Sequence, residues 1–363
     1  MTDDGAPRLL SLATTLPRHR VTPDETKELL RSLAGPSAER WLATVDGSRI
    51  RGRHAVLPIE AVVRRRTIGE RSEDYAREAV ALATTVASDA LAALADANAP
   101  AGSRIATIVS VSCTGYVLPS LDAQLVQTLR LAPDVRRLPI TELGCSGGVA
   151  GLALAGRLQR VHPDDRVLLV SVETCSLCLQ VERPASADLL GAVLFGDAAA
   201  ALVLGSSDRC GGPAILAEQS VLWPDCVGDL AMELTTSGFR FVLSPGLPDL
   251  VKDRVRETVV RFLSSSGLCL TDVEFWVVHP GGPKVLDAVG RELHLGDGLL
   301  RASWDVWERC GNVSSATVFF ILRQLADRAP PRDGALGLML AFGPGVSCEM
   351  LLLRWREGLA ADG

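Results

Sequence analysis

The chain is 363 residues long, 47% hydrophobic and 22% charged, with a formal net charge of −6 at pH 7. That length supports one large α/β domain or two ordinary ones, and a mean hydropathy of +0.22 excludes a disordered chain. The acidic balance, with no long run of one sign, gives no electrostatic footprint for nucleic acid, and no apolar run approaches the roughly 18 residues of a membrane span.

The N-terminal MTDDGAPRLL lacks the basic flank and apolar core of a signal peptide, so a cytoplasmic location is expected. Nine cysteines, an odd number scattered along the chain, read as free thiols rather than a disulfide framework. Cys175 and Cys178 form a lone CxxC with no second pair or nearby histidine, and no metal site is expected.

In chain order, residues 8–15 read as a strand, and Thr22, Pro23, Asp24 and Glu25 as a capping box opening a helix to about Leu33. Residues 40–71 read as basic and irregular, with Arg49, Arg51, Arg53 and the run Arg64, Arg65, Arg66. They suit a solvated surface or a site for a phosphorylated ligand. Apolar residues at spacings of three and four predict a helix over 72–98, followed by a loop over 99–103. Residues 105–111 are apolar on both faces, as in a central strand. A loop and helix follow, then a strand over 138–143.

Beyond that strand, 167–172 reads as a further strand, 194–205 as a turn feeding another, and 205–213 as the loop richest in breakers. The second half repeats the alternation. Helices are predicted over 250–263, 283–293 and 313–328, and strands over 275–278, 335–342 and 349–353.

The chemistry centres on LGCSGG, where a strand runs into Gly144, Cys145 and the small residues opening a helix. A lone cysteine is more often a packed small hydrophobe. At a helix N-terminus, however, the macrodipole and free N–H groups lower a thiol pKa from about 8.5 toward roughly 3.5–7.5, so Cys145 is a candidate nucleophile.

The halves also repeat. Residues 144–158 lie over 311–325 without a gap, which sets Cys145 opposite Asn312 and Gly147 and Gly148 opposite Ser314 and Ser315. Upstream, VSVSCTG at Cys113 and FWVVHPGGP at His279 stand at matched distances, as expected of an internal duplication. This arrangement brings Cys145, His279 and Asn312 to one site. The imidazole can hold the sulfur as thiolate for acyl transfer, and imidazole and amide together can bind a thioester enolate.

These residues resemble the chalcone synthase-like, or type III, polyketide synthases of the thiolase-fold superfamily. The resemblance rests on LGCSGG, LFGDAAAA, WVVHPGGPKVLD, GNVSSATVFFIL and FGPG, and runs from about Val45 to the C-terminus. It implies a duplicated αβαβα architecture, with residues 1–220 carrying Cys145 and 221–363 carrying His279 and Asn312. Cys145 would be acylated, while His279 and Asn312 would drive decarboxylation and condensation. Phe195 and Phe241 would be gatekeepers between a CoA tunnel and a cavity that involves Cys113, Cys175, Cys178, Met232 and Ser314.

Arg40, Arg49, Arg51 and Gly282 fall in the segments that contact CoA, and Leu118 in the loop that crosses a homodimer. The substrates implied are malonyl-CoA and an acyl-CoA starter, with no acyl carrier protein and no further cofactor. ETCSLCLQ and VSCTGYVLPSL are similar to the bacterial branch that includes tetrahydroxynaphthalene synthases. Met232 stands where plant members usually have glycine and those bacterial members tyrosine, and Ala341 replaces the first glycine of the usual GFGPG.

A β-ketoacyl synthase III, performing one condensation on a carrier protein, is the nearest alternative, and HPGGP and FGPG count against it. A non-catalytic homologue is disfavoured because all three chemical groups are retained.

Overall fold

The computed structural model describes residues 5–96, 104–182, 184–206 and 212–361. The predicted loop 99–103, and residues 207–211 of the predicted loop 205–213, lie outside the described residues. Strand β1 (Arg8–Thr15) falls where predicted and is followed by β2 (His19–Val21). Thr22 then starts α1 (Pro23–Ala34): its hydroxyl accepts from Glu25 N at 3.2 Å while the Glu25 carboxylate accepts from Thr22 N at 2.7 Å.

The segment expected to be irregular is built from α2 (Glu39–Gly47), β3 (Arg53–Ala55) and α3 (Ile59–Val62). Helix α4 (Ile68–Asp96) begins a turn earlier than its apolar spacing suggests. Thr67 and Glu70 form a second capping box, with Thr67 N donating to the Glu70 carboxylate at 2.7 Å and Glu70 N to the Thr67 hydroxyl at 3.2 Å.

The first half continues with β4 (Ile105–Val111), α5 (Leu121–Thr128), β5 (Arg136–Ile140), α6 (Gly147–Val161), β6 (Arg166–Thr174), α7 (Ser186–Leu194) and β7 (Asp197–Gly205). The second half comprises β8 (Ala214–Leu222), β9 (Leu230–Thr235), β10 (Gly238–Leu243), α8 (Leu247–Ser265), β11 (Phe275–Val278), α9 (Pro283–Glu292), α10 (Arg301–Cys310), α11 (Thr317–Arg328), β12 (Leu336–Gly343), β13 (Ser347–Arg354) and the short β14 (Ala360–Ala361).

Among the described residues ten strands form one sheet in the order β11-β12-β13-β8-β1-β7-β6-β4-β5, with β14 on β1. Its N-terminal portion, β5-β4-β6-β7-β1, has β7 alone running against the rest. The C-terminal portion, β11-β12-β13-β8, repeats that order without a counterpart of β5, and β13 alone runs against the others. The duplication read from the sequence is thus present in the strand order. Where the first half places β5 before α6, the second places α10 before α11.

Alternation along the strands assigns the layers. Met339 and Ala341 of β12 join Val149, Leu152, Val318 and Phe319 in a central core, whereas Leu338, Leu340 and Phe342 pack with Val255, Val259 and Leu286 of α8 and α9. In β4, Val109 and Val111 face the central core and Ile108 faces Ala83 and Ala87 of α4. The five layers are therefore α4 and α5, the N-terminal portion of the sheet, α6 and α11, the C-terminal portion of the sheet, and α8 and α9. Among the described residues no helix is long and apolar enough to cross a membrane.

The central helices approach closely at Gly148, where an added Cβ would stand 2.1 Å from the carbonyl oxygen of Ser315. Gly148→Ala should therefore destabilise the fold by about 2 kcal/mol through overpacking. Thermal melting checks this, and an unchanged midpoint would contradict the close approach.

Candidate active site

The nucleophile turn is built as the sequence suggests, by a strand, a tight bend and a helix start. After β5, residues Gly144–Ser146 form one 3-10 turn that runs into α6. Gly144 has φ +50°, and a Cβ there would lie 2.7 Å from Cδ of Pro344, so both conformation and space call for glycine.

Cys145 Sγ lies 3.8 Å from both Oδ1 and Nδ2 of Asn312. Ser314 N donates to Asn312 Oδ1 at 2.8 Å, which orients the amide and leaves Nδ2 as the donor toward the sulfur. The equivalence of the halves is offset in detail: the second 3-10 turn is Ser314–Ala316, so Asn312 precedes its turn whereas Cys145 sits inside its own.

Backbone bonds lock Asn312 to Phe195. Asn312 N donates to Leu194 O at 2.8 Å, and Gly196 N to Asn312 O at 2.9 Å. Arg53 secures this platform, donating from Nη1 to Phe195 O and from Nη2 to the Thr26 hydroxyl, each at 2.7 Å. Its 7% exposure corrects the reading of this arginine as part of a solvated basic surface. Burial lowers its pKa to about 10, partly offset by Asp197.

His279 follows β11, and its N–H donates to Leu340 O of neighbouring β12 at 2.9 Å. The strand β12 leads into the loop whose Pro344 abuts Gly144. His279 is 1% exposed, and among the described residues neither ring nitrogen, Nδ1 nor Nε2, has a hydrogen-bond partner. Burial depresses its pKa to about 3.

Burial also pushes the Cys145 thiol up to about 12, with the Ser314 hydroxyl pulling the other way. Desolvation of the thiolate works against the lowering expected at a helix N-terminus. A thiolate beside an imidazolium would form a neutral pair, but no hydrogen bond joins the two side chains here.

A buried carboxylate missed by the sequence reading, Glu173, lies beside the Cys113 sulfur, 3.5 Å away. Glu173 accepts from Cys113 N at 3.1 Å, from the Thr114 hydroxyl at 2.9 Å and from the Ser315 hydroxyl. Burial raises its pKa. Cys113 Sγ is 3.6 Å from the Ser314 hydroxyl, so Cys113, Ser314, Cys145 and Asn312 form one cluster. The available signal was an acid at the end of the apolar strand VLLVSVET.

Cys175, Cys178, Phe195 and Phe241 line one pocket with Leu29, Val62 and Ala192. Both cysteines are free and buried, and burial raises both thiol pKa values. The rings of Phe195 and Phe241 stack with centroids 4.3 Å apart and planes 18° from parallel. Met232 stands directly across the β9–β10 ladder from Phe241.

Arg49 and Arg51 converge on Glu308, each at 2.7 Å, and Arg49 also covers the Trp304 ring at 4.2 Å. Arg40 lies separately, over Trp41 at 5.1 Å. In the other basic run, Arg65 pairs with Glu182 and Arg66 with Asp74, which weakens the phosphorylated-ligand reading there. Gly282 immediately precedes α9, and Leu118 is 78% exposed.

Comparison with known proteins matches residues 2–208 to the N-terminal domain of chalcone and stilbene synthases and residues 214–356 to their C-terminal domain. A 1,3,6,8-tetrahydroxynaphthalene synthase of Streptomyces peucetius subsp. caesius is 38% identical over 359 residues, covering 97% of this chain and 94% of the relative. A phloroglucinol synthase of Pseudomonas fluorescens is 32% identical, covering 93% and 96% respectively.

The crystal structure of 1,3,6,8-tetrahydroxynaphthalene synthase from Streptomyces coelicolor, described as a bacterial type III polyketide synthase, superposes with a TM-score of 0.90 at 32% identity, covering 96% of this chain and 99% of that one. With both domains matched and the fold shared over almost its whole length, the chain belongs to the chalcone and stilbene synthase family of type III polyketide synthases.

Proposed function

We propose that the protein condenses malonyl-CoA iteratively onto a CoA-linked starter and cyclises the product to an aromatic or pyrone polyketide. The observation carrying this reading is the Cys145–Asn312 contact, with the amide held by Ser314 and the buried His279 ring nitrogens left without partners. The similarity to synthases named for tetrahydroxynaphthalene and phloroglucinol supports the product class.

In this mechanism His279 takes the Cys145 proton, and the sulfur attacks the starter carbonyl and expels CoA thiol. Malonyl-CoA then loses carbon dioxide. His279 and Asn312 N–H groups hold the resulting enolate oxygen, and the enolate carbon attacks the Cys145 thioester, expelling the cysteine sulfur. Return of the lengthened chain from CoA to Cys145 permits another round. Loss of carbon dioxide drives the step, and no cofactor beyond the substrates' CoA is required.

Phe195 and Phe241 act as the gate, and Cys113, Cys175, Cys178, Ser314 and Met232 bound the cavity, where the Met232 side chain limits extension. Gly282, Arg40, Arg49 and Arg51 contact CoA, with Glu308 offsetting one of the two positive charges beside it. The exposed Leu118 fits a contact within a homodimer, and the enzyme works in the cytoplasm without a carrier protein.

The test is incubation with malonyl-CoA alone or malonyl-carrier protein, each with a panel of acyl-CoA starters and a mass-spectrometric product profile. Multiply extended products from CoA substrates are expected. A single extension made only on the carrier would contradict the proposal.

A further inference from the structure

We propose that Arg240 and Asp188 form a latch that positions Phe241 against Phe195 and so sets which acyl groups pass between the two rings. This inference rests on the reading of those phenylalanines as a gate. Arg240 and Asp188 are positioning residues in it.

Among the described residues strands β9 and β10 pair only with each other, so the hairpin carrying Phe241 has no backbone ladder there to either half of the main sheet. Side chains hold it instead. At the turn end, Gln180 Nε2 donates to Phe239 O at 2.8 Å and the Ser237 hydroxyl donates to Gln180 Oε1. Next to Phe241, Arg240 Nε lies 3.5 Å from Asp188 Oδ2, an ion pair in which Nε makes no hydrogen bond. The Asp188 side chain is 1% exposed, and Glu233 lies directly across the ladder from Arg240.

Asp188, Gly191 and Phe195 recur at spacings of three and four along α7 and its C-terminal end, so they share one face. A Cβ on Gly191 would lie 3.4 Å from Phe195 Cδ2 and 3.5 Å from Phe241 Cδ2, which places this glycine under both rings. The ion pair and the ring stack therefore sit about one helical turn apart on the same surface.

Adjacent strand residues point to opposite faces, yet both Arg240 and Phe241 meet α7. The strand consequently approaches the helix by its edge, and a shift at Arg240 carries Phe241 with it. Asp188 also accepts from Ala185 N at 2.7 Å, a bond that an asparagine oxygen can preserve. The charge can thus be removed while the helix start is kept.

The experiment compares Arg240→Gln, Asp188→Asn, the double variant and Arg240→Lys with the unmodified enzyme. It reads kcat and KM with acyl-CoA starters of increasing size, together with the product distribution. Each neutralising change should raise kcat/KM for bulky starters relative to small ones roughly fivefold, and the double variant should add nothing further because the pair acts as a unit. Arg240→Lys, which retains the charge, should restore most of the original size preference.

Equal losses for all starters with an unchanged product distribution, or additive effects in the double variant, would overturn the latch. If Arg240→Gln fails to fold, Asp188→Asn and Arg240→Lys still decide by the same size-dependent readout. Failure of the unmodified enzyme to extend any CoA substrate would defeat the functional reading instead, and it would be seen before any variant is compared.

Discussion

Replacing Cys145 with alanine should abolish polyketide formation, lowering its rate by about 10⁴-fold or more, as removal of a covalent nucleophile does elsewhere. The substitution leaves Gly144 and the Ser314–Asn312 hydrogen bond in place, so His279 and Asn312 should still decarboxylate malonyl-CoA. Carbon dioxide and acetyl-CoA should accumulate without a condensed product. Product analysis beside a carbon dioxide assay separates the two steps. Undiminished condensation would assign the acyl chain to another group.

Asn312→Ala should lower kcat by roughly 10²–10³-fold, the usual consequence of removing one donor to a developing oxyanion. Here the larger loss should fall on decarboxylation, reversing the pattern for Cys145→Ala. Asn312→Asp preserves an acceptor for Ser314 N–H but places an anion where the enolate forms, and it should be no better than alanine. Steady-state rates of carbon dioxide release test both variants, with thermal melting as the control for folding. Near-normal release would remove Asn312 from enolate stabilisation.

The parts most legible in the sequence were those fixed by local chemistry. Thr22 and Glu25 cap one another over a single turn, and β11 announces itself by four successive apolar residues before HPGGP. The turn at Cys145 is marked by a glycine that both its φ of +50° and Pro344 require. The duplicated chemistry survived in sequence because Cys145 and Asn312 meet at two corresponding helix starts.

Other features depended on contacts made across the chain. Arg53 looks like one more surface arginine until Phe195 O and the Thr26 hydroxyl supply its buried partners. The β9–β10 hairpin is mostly half-buried on both faces, which blurs the alternation that identifies a strand. Helix α10 is hard to read from sequence although Ala302, Val306 and Cys310 form part of its buried face, because charged residues interrupt so short a pattern. The desolvation that opposes the Cys145 thiolate is not readable from the sequence, because it comes from the assembled layers, whereas the helix start is local.

The most direct measurement is peptide-mapping mass spectrometry of enzyme quenched during turnover with malonyl-CoA and an accepted acyl-CoA starter. The account predicts acyl adducts on the peptide containing Cys145, with masses that rise by successive ketide units and vanish in Cys145→Ala. Product accumulation with Cys145 unmodified throughout, or with the growing chain carried by a different residue, would contradict it.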